Sequence, residues 1–301
     1  MRTLAILFTW AATAVTAAAP QTGIWWSPAE SGRGYTIDVQ NDTLVLISFL
    51  YGPDGRMQWY YSDGKLTNEG ASWSGTLLKF DQGQPLGGAY KAPTASGNDG
   101  AVSIAFSSRT TGVITLPGGR TAAIEHQNFG VGSPPQSLLG SWLYVYAVGD
   151  DTFATRFNYT SVGAATPTGT GVVVDTVRRG GAEYMVSGDF AGQVVSVQFD
   201  AAGNPLTTYF WNPYLEEGRG FWVSPTTQVL YGMNAYRYVG PSGMVKGLGA
   251  AIGPGAAARE GITFTLPKAT PMADYAARNP ALGAIARGML EEVRKAEASR
   301  R

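Results

Sequence analysis

The sequence predicts an all-β protein made of two antiparallel, β-barrel-like modules of the meander type, followed by a C-terminal amphipathic helix. Apolar and polar residues alternate with period two in many short segments, and Tyr35, Ile37 and Val39 form one such series. The 40 glycines and the aromatic share of 12% are typical of short strands joined by tight turns. Helical patterns are scarce before residue 270. These three observations favour strands over helices along most of the chain.

Residues 1–19 have the pattern of a bacterial signal peptide. Arg2 is the only charge before an apolar run from Leu4 to Val15, which small residues follow. This run is shorter than the roughly 20 residues that a spanning helix needs, so we expect no transmembrane segment in the mature chain. We expect cleavage near Ala18 and a periplasmic or secreted location.

The first module is predicted to cover residues 20–132 and to contain about eight strands. The GPDG link before Arg56 and the LPGG link before Arg120 are predicted hairpin turns. The predicted strands lie at residues 23–27, 34–41, 43–51, 57–63, 72–80, 100–107, 111–117 and 120–130. About eight antiparallel strands leave two unpaired edges unless the sheet closes, and a barrel of this size encloses side chains or one small ligand. We therefore expect a closed or nearly closed barrel.

The second module is predicted to cover residues 138–240 and to repeat this scheme. Its predicted strands lie at residues 141–147, 152–160, 170–177, 183–188, 193–199, 205–212, 219–224 and 229–238. The proline-containing segment 133–137 is a short, stiff connector between the modules. Each module opens with G-x-W, at Gly23 to Trp25 and at Gly140 to Trp142, which suggests a duplication.

A Gly- and Ala-rich linker at residues 241–270 precedes a helical tail at residues 271–301. Thr270-Pro271 and Asn279-Pro280 each place a capping residue before a proline, as at the start of a helix. Glu291 is spaced for a surface pair with Lys295. One apolar stripe contains Leu282, Ile285, Met289 and Val293. Such a helix either docks on a barrel or serves as a handle for an envelope protein partner or a membrane surface.

Composition excludes several kinds of chemistry. The chain has no cysteine, so disulfides, thiol ligands and the lipidated cysteine of a lipoprotein are ruled out. With a single histidine as well, no ordinary transition-metal site and no cofactor are predicted. Lysines plus arginines equal aspartates plus glutamates at 22 each, and no basic run interleaved with aromatics occurs before the C-terminal tail, so nucleic acid is not an expected partner.

No catalytic residue is assigned, because the candidate signatures are incomplete. Ser31 lies in ESGRG, which lacks the G-x-S-x-G spacing of a nucleophile elbow. His126 is in phase with Ala122 and Ile124, which predicts a histidine packed among apolar neighbours; the alternative is a ligand-facing or proton-transferring group inside the barrel.

Aromatic residues give the strongest indication of binding. Consecutive strand residues face opposite ways, so at least one of Trp25 and Trp26 points outward, and the same holds for Trp59 beside Tyr60. An outward tryptophan either packs under the second module or is an exposed platform for sugar rings or a partner. The candidate ligand-binding residues, placed mainly around one barrel mouth, are Trp26, Glu30, Arg33, Tyr35, Trp59 and His126.

Two resemblances support this organisation. The run GIWWSPAESGRGYTIDVQNDTLVLISFLYGPDGRMQWYY, followed by FSSRTTGVITLPGGRTAAIEHQNFG, resembles a family of exported bacterial β-rich proteins with WW-x-P-x-E-S-G-x-G repeats and no assigned activity. That match covers Gly23 to Gly130; residues 138–240 resemble a less regular companion domain.

The G-x-W openings also resemble the calycin superfamily, which includes the lipocalins. In that superfamily, a tryptophan fills one end of the barrel beneath a basic side chain of the last strand. The resemblance implies that Arg237 covers Trp142 and that Arg120 covers Trp25.

The sequence therefore predicts an exported, non-enzymatic binding or envelope-associated protein, whose ligand is a small apolar molecule or a glycan in or at the mouth of a barrel. In this interpretation the segment WWSPAESGRGY has mainly a structural role: it turns the chain between the first two strands, and a Glu30–Arg33 pair fixes the turn. One alternative is a hydrolase acting on envelope polysaccharide through Glu30 and either a second carboxylate, Asp38 or Glu125, or His126. Another is a structural module without a ligand.

Overall fold

The computed structural model describes residues 19–148, 151–223, 229–244 and 269–300. The chain forms two compact units that divide between Gln127 and Asn128. Residues 1–18 of the predicted signal peptide and residues 245–268 of the predicted linker lie outside the described residues. The predicted connector, residues 133–137, belongs to the second unit.

The first unit is a closed, eight-stranded antiparallel barrel, as predicted. Its strands are β1 (Gly23–Trp26), β2 (Gly34–Gln40), β3 (Thr43–Tyr51), β4 (Met57–Thr67), β5 (Ser72–Asp81), β6 (Thr94–Phe106), β7 (Thr111–Thr115) and β8 (Thr121–His126). Each strand pairs with the next, and β1 pairs with β8 to close the barrel. β6 begins at Thr94, ahead of the predicted residue 100, because its pairing with β5 continues through two register shifts.

The two ends of this barrel differ. Its interior is filled by the inward residues of all eight strands, among them Trp25, Tyr35 and Trp73, which are almost completely buried. At one end, called the closed end here, the Trp25 indole donates a hydrogen bond to the Gln21 carbonyl and lies edge-on against Phe106. The opposite end, called the open end, carries the loops at residues 27–33, 52–56, 82–93 and 116–120.

The second unit is a nine-stranded antiparallel sheet curved into a half-barrel. Its strands are β9 (Gly140–Val148), β10 (Asp151–Tyr159), β11 (Ser161–Val162), β12 (Val173–Asp175), β13 (Gly180–Tyr184), β14 (Val194–Phe199), β15 (Pro205–Tyr214), β16 (Glu217–Val223) and β17 (Leu230–Val239). The order β10-β9-β17-β16-β15-β14-β13-β12-β11 leaves β10 and β11 at the edges. Two bonds link the β10 end to β12: the Asn158 amide donates to Asp175 at 2.7 Å, and the Thr160 amide donates to the Val174 carbonyl at 3.0 Å.

The strand bounds in this unit differ from the prediction where glycines interrupt the apolar pattern. β13 starts at Gly180, although the predicted strand starts at 183, because Gly180 and Gly181 pair with β14 without contributing side chains. The segment predicted as one strand at 170–177 shortens to β12. The loop before it is held instead by the Glu183 carboxylate, which accepts hydrogen bonds from the Thr166 and Gly171 amides.

Two helices complete the second unit: α1 (Met272–Arg278) and α2 (Pro280–Ala298). The Asn279 side chain caps α2 by accepting a hydrogen bond from the Leu282 amide at 3.0 Å, as predicted. For α1 the N-cap is Pro271 rather than Thr270, because the helix begins at Met272, one residue later than predicted, and the Pro271 side chain provides no capping hydrogen bond. Glu291 and Lys295 form the predicted ion pair at 2.8 Å.

The helix α2 covers the outer face of β12, β13 and β14. The predicted stripe of Leu282, Ile285, Met289 and Val293 is buried there in one cluster with Val174, Val195 and Phe210. The inner face of the same sheet packs a second cluster, rich in aromatic rings, around Trp142 and Tyr209. The buried stripe favours the docking role of the helix over the role of a handle. Neither helix in the described part of the chain has the length and apolar character required to cross a membrane.

Candidate functional site

A cavity of about 430 Å³ lies at the open end of the first barrel. It is lined by Ser31, Gly32, Arg33, Leu50, Tyr51, Tyr60, Leu77, Asp99, Leu116, Pro117 and Arg120. Three leucines and a proline provide an apolar wall, whereas two arginines, two tyrosines, a serine and an aspartate provide polar groups. An apolar pocket with a few convergent polar groups is typical of small-molecule sites.

The first polar group of the cavity is centred on Glu30. The turn at residues 27–33 is closed by a hydrogen bond from the Glu30 amide to the Ser27 carbonyl, and the Glu30 carboxylate pairs with Arg33, as predicted. Arg120, from the loop before β8, donates to the other Glu30 oxygen at 3.0 Å. The carboxylate is therefore held between two guanidinium groups, and it joins two loops of the open end.

This geometry corrects the role implied for Arg120 by the calycin resemblance. Arg120 lies in the loop before β8, at the open end, and pairs with Glu30, whereas the Trp25 indole lies at the closed end. The side chain opposite Trp25 in the closing register of β1 and β8 is His126, whose ring lies 5.8 Å from the indole.

The second polar group joins three strands. Lys79 on β5 pairs with Asp99 on β6 at 2.6 Å, and the Tyr60 hydroxyl on β4 donates to the same carboxylate at 2.7 Å. The hydrogen bonds from Lys79 and Tyr60 lower the pKa of Asp99, and burial together with the Asp99 charge raises the pKa of Tyr60 to about 12. Sequence reasoning missed these residues because β6 was predicted to start after Asp99.

We expect the Tyr60–Asp99 hydrogen bond to make the stability of the first barrel depend on pH in the alkaline range. A raised pKa means that the protonated tyrosine contributes stability below its ordinary pKa of about 10, and that this contribution is lost as the pH rises through about 12. Replacing Asp99 with asparagine should lower the pKa of Tyr60, while burial keeps it above the ordinary value. Tyrosinate absorbance titrations of both chains, each compared with its Tyr60→Phe counterpart, measure this change. Equal Tyr60 titration in the two chains would contradict the assignment.

Below the cavity, the inward faces of three neighbouring strands form a polar layer. Tyr35 pairs with Ser48, and Ser48 pairs with Tyr60, so their side chains lie side by side inside the barrel. Tyr35 and Ser48 are completely buried. Burial raises the pKa of Tyr35, and the charge of Arg33 opposes this rise. The Ser48 hydroxyl has no hydrogen-bond partner in the described part of the chain.

Of the predicted site residues, the structure brings Glu30, Arg33 and Tyr35 together at the open end. Trp26 and Trp59 point outward, as the alternation of β1 and β4 requires. Trp59 is 45% exposed and stacks on Phe80 with ring centroids 5.9 Å apart. Neither tryptophan is among the residues that line the cavity.

His126 lies at the closed end and not with Glu30, because Arg120 and His126 flank β8 at opposite ends. Its Nε2 lies 3.2 Å from the Thr22 carbonyl, and its ring lies edge-on to Trp25. This contact fits the prediction of a packed histidine.

The second unit repeats this plug with a different residue opposite the tryptophan. The Trp142 indole donates to the Leu138 carbonyl, as Trp25 does to the carbonyl four residues earlier in the chain. Arg237 pairs with Trp142 across β17 and β9, and its guanidinium lies 4.8 Å from the indole centroid. The guanidinium therefore lies within cation–π distance of the indole. Arg237 and His126 therefore hold equivalent register positions.

The residues proposed for hydrolysis are not assembled. Asp38 accepts a hydrogen bond from Thr22 near the closed end, and Glu125 is exposed on the outer face of β8. The carboxylate that does share the cavity with the Glu30 arginines is Asp99. Within the described ranges, histidine and carboxylate side chains do not form a cluster of three or more that could hold a metal ion.

The first unit is thus a small antiparallel barrel with an aromatic plug at one end and a polar-rimmed cavity at the other. Comparison with known proteins adds no relative: no family model, no curated protein and no solved structure matches the chain.

Proposed function

We propose that the chain is an exported, non-enzymatic binding protein that holds a small molecule with an apolar body at the open end of its first barrel. The observation that carries this proposal is the cavity of about 430 Å³, in which Leu50, Leu77 and Leu116 lie beneath polar side chains of the rim. Its volume falls in the usual range for small-molecule sites. The apolar wall supports an apolar ligand over a glycan. Export is supported by the signal-peptide pattern and by the absence of cysteine.

The state of the carboxylates supports binding over hydrolysis. A general acid in a glycosidase needs a raised pKa, so that it carries a proton near neutral pH. The pKa of Asp99 is lowered instead, by Lys79 and Tyr60. Glu30 is held by two arginines in a structural pair.

A neutral apolar dye tests the proposal. N-phenylnaphthylamine, whose fluorescence rises in apolar surroundings, should bind the full chain in a saturable manner. Replacing Ser31, which lines the cavity, with tryptophan should fill the mouth and weaken binding by about tenfold or more, a loss of about 1.4 kcal/mol. Fluorescence titration measures the dissociation constant.

The matched control is Ser74→Trp, which adds the same side chain at an exposed position of β5 that is not part of the cavity lining. This variant should bind the dye as the unmodified chain does. No binding to the unmodified chain, or equal binding by both tryptophan variants, would contradict the proposed site.

A further inference from the structure

We propose that the ligand carries an anionic head group with oxygen acceptors, such as a carboxylate, and that Arg33 and Arg120 bind it while Glu30 competes with it for their N–H donors. This inference rests on the proposed function, since it names the chemistry of the ligand held by the same cavity. It is carried by the arrangement of the two arginines and by the balance of charge around them.

The two arginines present more donors than Glu30 uses. Arg33 and Arg120 line the cavity, whereas Glu30, which contacts both, is not among its lining residues. Each guanidinium has five N–H donors and suits bidentate contact with a carboxylate. A ligand carboxylate in the cavity can therefore bind the N–H donors of these two cations that Glu30 leaves unused.

The local charge balance also favours an anion. The second carboxylate of the cavity, Asp99, is already paired with Lys79. The two polar groups thus contain three cationic side chains, Arg33, Lys79 and Arg120, against the two anionic ones, Glu30 and Asp99. One positive charge is left in excess beside an apolar wall, where attraction to an anion is less screened than in water.

Two dyes that share one skeleton test the head group. Anilinonaphthalenesulfonate is N-phenylnaphthylamine with an added sulfonate, so the ratio of their dissociation constants isolates the contribution of the anion. The unmodified chain should prefer the anionic dye. Arg33→Met should weaken its binding by about tenfold, since a hydrogen bond to a charged group contributes about 1.5–3 kcal/mol. Arg56→Met, which removes an 89% exposed arginine from a neighbouring loop, should not change the ratio.

Glu30→Gln separates this inference most sharply from a direct role of Glu30 in binding. If a site depends on a carboxylate, removing that carboxylate usually weakens binding. Here it should release the two arginines and tighten binding of the anionic dye by about threefold to tenfold, with the neutral dye unchanged. An equal effect on both dyes, or weaker binding of the anionic dye, would overturn the inference.

A measurement on the unmodified chain covers the case in which a variant fails to fold. Raising the salt concentration should weaken binding of the anionic dye and leave the neutral dye unaffected. If the neutral dye binds but the anionic dye shows neither preference nor salt dependence, the head-group inference fails and the proposed function stands. If neither dye binds, the proposed function itself fails.

Discussion

Replacing Trp142 with alanine should lower the free energy of unfolding of the second unit by about 3–5 kcal/mol, the usual cost of deleting a large buried aromatic side chain. The Trp142 side chain is 1% exposed, and its ring lies 5.0 Å from that of Trp211. The substitution also removes the ring beneath the buried guanidinium of Arg237. Urea denaturation followed by circular dichroism measures the change.

Two variants control for this result. Trp142→Phe retains an aromatic ring but loses the hydrogen bond to the Leu138 carbonyl, so its cost should be about 1–2 kcal/mol. Trp59→Ala removes the same side chain type from a position that is 45% exposed and should cost less than Trp142→Ala. Equal losses for the phenylalanine and alanine variants would show that ring packing at position 142 contributes little.

Glu183→Ala should destabilise the second unit by about 3 kcal/mol or more. The carboxylate is completely buried and accepts hydrogen bonds from the Thr166 amide, the Thr166 hydroxyl and the Gly171 amide at 3.1, 2.6 and 2.7 Å. Removing it leaves three donors unpaired in a buried site, each at a cost of about 1–3 kcal/mol. Urea denaturation gives the total, and hydrogen exchange at the two amides gives the local effect.

Glu183→Gln distinguishes the carboxylate from a merely well-packed side chain. The glutamine oxygen can still accept from the Thr166 and Gly171 amides, but its amide nitrogen is a donor, so the Thr166 hydroxyl can no longer donate at that position and must turn to accept. The free energy of unfolding of the glutamine variant should lie between those of the unmodified chain and the alanine variant. If the glutamine variant is as stable as the unmodified chain, the second carboxylate oxygen is not needed to hold the loop.

The first barrel was predictable from its sequence because a closed sheet buries one face of every strand. Tyr35 and Ile37 are buried, and the intervening Thr36 is less so, which is the alternation visible in the sequence. The start of β6 could not be found this way. Residues 94–99 are exposed on both faces and carry no apolar alternation, so the position of Asp99 beside Tyr60 depends on pairing alone.

In the second unit, the strands could be recognised but the openness of the sheet could not. β14 is buried on both faces because the aromatic cluster packs on one side and α2 on the other. A continuous apolar run gives no indication of which segments pair. β11 has two residues, too few for any periodic pattern.

The candidate site was predictable where its contacts are local. Glu30 and Arg33 are three residues apart, and their pairing follows from the turn between them. Arg120 reaches Glu30 from 90 residues away, so this contact depends on barrel closure. His126 ends β8 and Arg120 directly precedes this strand, so an extended segment of roughly 20 Å separates the two residues and sets His126 apart from the cavity.

The position of α2 in the chain has a consequence for the order of folding. All eight strands of the first barrel are present once residue 126 has been synthesised, so this barrel can close while the rest of the chain is still emerging. The second sheet has all its strands by Val239, but the outer face of β12, β13 and β14 is covered only when residues 280–298 follow. Until then its valines and Phe210 face water. In this interval, the nascent second unit is the part of the chain most exposed to aggregation and to capture by chaperones.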